Sequence, residues 1–239
     1  SLSLLFIITI LINPSIISYL FQYYLLLITV TIIGIPHGFF DYSIAERLFK
    51  NTRNWIYYFT SGYILLSLLY LFFWFQFPLA SLIFFLVIST FHFGIEELTH
   101  IEYKDMNLFQ ILVIGSMPII LPILFHPIEV FYIFEQILGL EIKQLTIDVY
   151  AYYLYFLLLF IALFLNGIKR SWIYTVLIIN FILLPPLISF ILYFCFHHSI
   201  RHYIYSIYSS NLVPEKSDTK SYLRKIVMTS VLFTILVLI

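Results

Sequence analysis

Three histidines and an arginine, His197, His198, Arg201 and His202, stand inside an otherwise apolar run from Phe194 to Tyr203. A helix in lipid must satisfy its own backbone and tolerates ionisable side chains only where they face a partner, a cavity or an ion, so the cluster reads as a functional site. His198 and His202 are four residues apart. On an α-helix that spacing puts them about 40° apart around the axis and roughly 6 Å along it, so both imidazoles can aim at one point. Neutral imidazole is the commonest side-chain metal ligand, and ligation of a divalent metal is the chemistry this pair would perform. A pair of histidines hydrogen-bonded to neighbouring helices is the plainer reading of the same stretch.

Two more histidines carry a related pattern. His37 heads His37-Gly-Phe-Phe-Asp41 and His92 heads His92-Phe-Gly-Ile-Glu96, each followed four residues on by a carboxylate. Asp41 and Glu96 could orient their histidines, as carboxylates around metal sites do, or reach the metal themselves; a charge near a helix end is the alternative for both. Arg201, one turn beyond His197, is placed to neutralise Asp41 or Glu96. His197 is rotated about 100° from His198 and so is expected to make a helix-packing hydrogen bond. His100 and His126 fall in or beside loops, where solvent exposure is expected. Glycines close to His37 and His92 would admit a close approach of backbone or ligand.

The elements that must position these residues follow from composition. With 62% hydrophobic residues, 10% charged residues and a mean hydropathy of +1.02, the chain is expected to form an all-α, multi-pass transmembrane helix bundle, a single integral-membrane domain over residues 1–239. A formal net charge of zero and the lack of a basic arm argue against a nucleic-acid partner. The single cysteine, Cys195, excludes an intrachain disulfide. Prolines and charges divide the apolar runs into about nine segments at ~20 residues per span. They cover 2–12, 16–45, 55–77, 79–98, 107–125, 148–166, 172–184, 187–208 and 226–239, and the first and last read as truncated. Residues 126–146 mix acids with apolar residues and are expected to be a loop or an interfacial helix.

Of the twelve cations, ten fall in alternate loops: Arg47, Lys50, Arg53, Lys104, Lys169, Arg170, Lys216, Lys220, Arg224 and Lys225. The opposite loops hold only Lys143, and Arg201 lies within the eighth segment. Cytoplasmic loops carry the Lys/Arg excess, so even-numbered spans are expected to run towards the cytoplasm. His37, His92, His198 and His202 then fall at one depth, in the cytoplasmic half of the bundle, and four histidines converging from three helices favour metal ligation.

At these residues the chain resembles a known family. Gly34-Ile-Pro-His-Gly-Phe-Phe-Asp41, Phe91-His-Phe-Gly94 and His198-Ser-Ile-Arg-His202 are similar to the three signatures of the Brp/Blh membrane family, the bacterial and archaeal β-carotene 15,15'-dioxygenases. The resemblance spans most of the chain in order and spacing. It implies Fe(II) held by His37, His92, His198 and His202, O2-dependent cleavage of β-carotene to two retinals, a place in the cell membrane, and in many members supply of retinal to a microbial rhodopsin. The chain departs from the family pattern at Phe39-Phe40, where smaller residues are commoner, and at Phe91, where tryptophan is expected. Such changes bear on the substrate more than on the metal. Phe39, Phe40, Phe91 and Phe93 flank two of the histidines and, with Tyr205 on the His198/His202 face, are candidates for pocket walls.

All-imidazole ligation suits Fe(II), and four ligands leave positions open for O2. Zinc has no redox chemistry and fits this reaction less well. Two other classes use similar residues. A haem-binding electron carrier would pair histidines across facing helices, although one haem requires fewer than four, and a transporter or proton relay would also bury His, Asp and Glu. A non-catalytic, rhodopsin-associated subunit is the third alternative.

Overall fold

The computed structural model describes residues 18–34, 45–46, 48–49, 51–99, 107–142, 146–165 and 171–202. The fold is all-α, and there is no strand among the described residues. Helix α1 (Tyr19–Thr29) runs into a π-helical stretch, Val30–Gly34. It is followed by α2 (Trp55–Gln76), α3 (Pro78–Thr99), α4 (Leu108–Gly115), α5 (Met117–Phe125) and α6 (Pro127–Leu138). Then come α7 (Val149–Leu165), α8 (Ser171–Leu183) and α9 (Pro186–Ile191), which continues as a second π-helical stretch, Leu192–Ser199.

Local chemistry sets most of these boundaries. Pro78, Pro127 and Pro186 open α3, α6 and α9, where a missing N–H is harmless and the fixed φ favours the first helical turn. Asn107 caps α4, its Oδ1 accepting from the Phe109 amide at 3.0 Å, and the Asp148 carboxylate accepts from Tyr150 N at 3.0 Å ahead of α7. Gly139, at φ 64°, ends α6 in the left-handed conformation that glycine adopts without cost.

The expected spans and the helices agree to within a residue or two at most shared boundaries. Among the described residues two helices, α2 and α3, are long and apolar enough to cross a membrane, and α4 with α5 makes a third if counted as one span bent by 46°. The bend follows from sequence: Pro118 and Pro122 lack amide donors, so carbonyls one turn earlier lose their helical partners. Beside the break, the Val113 carbonyl accepts from Ser116 Oγ at 3.0 Å and from Tyr155 OH at 3.3 Å. Residues 126–146 contain α6, which at 12 residues is about 18 Å long and too short to span a hydrocarbon layer of about 30 Å. It buries Val130, Phe131 and Leu138 and leaves Ile128 and Tyr132 exposed. The first and ninth expected segments, 2–12 and 226–239, lie outside the described residues, as does 35–44 of the second.

Two compact units divide the chain. The first draws on residues 1–23 and 83–193. Its centre is Leu98, Ile114, Met117, Leu121, Leu159, Phe181, Leu184 and Ile188, all almost fully buried. Polar ties cross this core: Gln110 Nε2 reaches the Ala162 carbonyl at 3.5 Å, Ser116 Oγ meets Tyr155 OH at 3.0 Å, and Tyr152 OH donates to the Leu124 carbonyl at 2.5 Å. The tyrosine cluster of α7 is therefore divided, with Tyr150 and Tyr153 outward and Tyr152 and Tyr155 inward. The second unit draws on residues 24–82 and 194–239. In its described part Cys195, fully buried, is hydrogen-bonded to Thr29, and Tyr70 OH donates to the Ser81 carbonyl at 3.3 Å.

Candidate metal centre

In the first unit His92 and Glu96 sit one turn apart on α3, with His92 Nε2 3.4 Å from Glu96 Oε2. The imidazole is half exposed at 50%, whereas the Glu96 side chain is 11% exposed. The expected i, i+4 pairing is thus formed, and the carboxylate is the more deeply held member.

Helix α3 is fixed by an unusually close neighbour. A Cβ added to Gly94 would collide with the Ile111 carbonyl, and one added to Gly115 would collide with the Thr90 carbonyl and the Gly94 backbone. Backbone meets backbone here, as where small residues pack helices in membranes. The close approach expected of a glycine near His92 is present, and what approaches Gly94 is α4. One residue beyond Glu96, Glu97 is 1% exposed. Sequence reasoning passed over it among adjacent acids at a helix end, although its place three residues after Gly94 puts it on the buried side of α3.

The aromatic neighbours of His92 diverge. Phe93 is 6% exposed and packs edge-to-face on Tyr193, with ring centroids 5.3 Å apart and planes at 87°; Tyr193 in turn meets Phe181 at 5.7 Å. Phe91 lies on the exposed side of the helix. Phe93 is thus packed inside the unit, and Phe91 is exposed.

In the second unit His198 is buried, 2% exposed, and its ring lies nearly parallel to that of Phe194, with centroids 5.9 Å apart and planes at 18°. His202 is half-buried, one turn further along the same helix. Arg201 Nη1 donates to His197 Nε2 at 2.7 Å, a bond within one helix and not the helix-packing bond expected of His197. His126 differs from its expected solvent exposure. At the start of α6 its Nε2 is 3.1 Å from the Ile182 carbonyl and its Nδ1 is 3.4 Å from Glu129. The ring bridges α6 to the end of α8. His37, Phe39, Phe40, Asp41, His100 and Tyr205 lie outside the described residues.

Comparison with known proteins adds to this geometry. A family model described as "Beta-carotene 15,15'-dioxygenase" matches residues 28–239. A curated protein of that name from uncultured marine bacterium 66A03 is 30% identical over 186 residues, covering 73% of this chain and 66% of that protein. The chain therefore matches a little under two thirds of its relative's length. No solved structure matches the chain.

Proposed function

The chain belongs to the β-carotene 15,15'-dioxygenase family, and on that footing we propose that it cleaves β-carotene at the central 15,15' double bond with O2. Each half leaves as retinal, one oxygen atom entering each new aldehyde, so the reaction needs no external reductant. The observation that carries this reading is the reach of the family match, residues 28–239, which includes His37, His92, His198 and His202. Membership also argues against the haem carrier, the proton relay and the non-catalytic subunit.

Fe(II) is the cofactor we propose, held by those four histidines. The donor chemistry fits: neutral imidazoles suit Fe(II), a metal would offset the cost of burying His198, which is 2% exposed, and His92 lies beside Glu96. Bound iron would supply the redox chemistry that activates O2. The remaining work belongs to the chain. Glu96, 3.4 Å from His92 Nε2, would orient the imidazole that ligates, and Arg201 holds His197 in a bond that keeps it out of the ligand set. Phe39, Phe40, Phe91, Phe93 and Tyr205 are proposed as walls that orient the polyene, since the bond that is cut depends on how far the substrate slides past the reacting centre. The protein would act in the cell membrane, taking β-carotene from the lipid bilayer and releasing retinal for a carrier such as a microbial rhodopsin.

Expression of the chain in carotenoid-producing bacteria followed by pigment extraction tests the reaction. Cells should bleach and accumulate retinal as the sole product. Apocarotenals of unequal length would rule out central cleavage, and unchanged pigment beside iron-loaded protein would rule out β-carotene as substrate.

A further inference from the structure

We propose that Phe194 is a positioning residue for His198, and that position 34 is glycine because only a glycine leaves room for the Phe194 ring. The proposal rests on the reading of His198 as a metal ligand. The Phe194 and His198 rings are stacked 5.9 Å apart at 18°, and the same Phe194 ring presses on α1, where a Cβ built on Gly34 would come within 2.9 Å of its Cε1. Carbon atoms do not approach that closely, so an alanine would have to push the ring, and the ring would push the imidazole.

The chemistry explains why an aromatic ring is suited to this place. Rotation of an imidazole about its last torsion is broad and nearly two-fold, so burial alone does not choose the plane of the ring. A hydrogen-bonding partner could choose it but would occupy one of the two nitrogens. A stacked phenyl ring restricts the plane and occupies neither. The backbone around these residues is unusual in the same sense. Gly34 ends the π-helical stretch of α1, Phe194 and His198 lie in that of α9, and these are the two π-helical stretches among the described residues. Single π-helical turns are rare and occur often at functional sites. One turn from the Gly34 contact, Thr29, whose hydroxyl donates to the Leu25 carbonyl at 2.7 Å and interacts with Cys195, joins the same two helices, which makes it a control for general loosening.

The test titrates the intact, detergent-purified protein with Fe(II) without oxygen, and records the EPR signal of the nitric oxide adduct as a report on ligand arrangement. Phe194→Leu and Gly34→Ala should each weaken Fe(II) binding about 10- to 100-fold, the usual loss when a partner that orients a ligand is removed, and should alter the signal. Phe194→Tyr keeps the ring and should keep both affinity and signal, as should Thr29→Ala. In the double variant, Gly34→Ala should add nothing to Phe194→Leu, because the ring it displaces is gone. Wild-type affinity and signal in Phe194→Leu, or a loss in Thr29→Ala equal to that in Gly34→Ala, would overturn the positioning role alone. Failure of the wild-type protein to take up Fe(II), or unchanged binding by His198→Ala, would overturn the metal reading and this role with it.

Discussion

Removing one imidazole at a time separates ligands from bystanders. His→Ala at 37, 92, 198 or 202 is expected to abolish both turnover and stoichiometric iron, and Glu96→Gln to weaken Fe(II) binding about 10- to 100-fold, as measured by iron analysis and anaerobic titration. Equal losses at all seven histidines would instead indicate misfolding. His126→Ala should retain iron and turnover while losing about 1 kcal/mol of stability, because the Ile182 carbonyl, 3.1 Å from the ring, is left without that partner. Phe40→Ala should loosen regioselectivity or admit other carotenoids before it eliminates iron, readable from the lengths of the products. The His92–Glu96 pair was legible in the sequence because four residues is one helical turn. The tie of His126 to α8 was not, because a residue at a helix start shows no periodicity and its partner, Ile182, is 56 positions away.

At the scale of elements, the seam between α3 and α4 invites the sharpest test. Gly94→Ala places a methyl group against the Ile111 carbonyl and Gly115→Ala places one against that of Thr90, so each should cost roughly 1–3 kcal/mol by overpacking. Thermal unfolding in detergent measures it, and Gly62→Ala, where nothing lies near the added atom, is the control. Helix limits were readable because proline, asparagine and glycine mark them chemically, as at Pro78, Asn107 and Gly139. The close α3–α4 approach was only half readable: Gly94 announces that something comes near and cannot say what. The π-helical stretches left no mark, since an inserted turn changes hydrogen bonding without needing a special residue type. The bend at Ser116 had its cause in plain sight, two prolines, but the apolar run through it is continuous and reads as one span.

At the scale of the whole molecule, the ten-to-one division of loop cations makes orientation testable. A reporter joined after Asn54 should lie on the cytosolic side; an external location would remove the common depth on which convergence of the four histidines depends. Composition made the all-α membrane class readable, because 62% hydrophobic residues cannot cover a water-soluble surface. Helix α2 carries a different implication. None of its 22 residues is buried, so, beside the Tyr70–Ser81 hydrogen bond, its hydrophobic length is what sets its place along the membrane normal. At 1.5 Å per residue it is about 33 Å long, slightly more than a hydrocarbon core of about 30 Å. In a thinner bilayer α2 should lean over to match, while α3, interlocked with α4 through Gly94 and Gly115, keeps its angle; lipid thickness would then be sensed by one helix and ignored by the next.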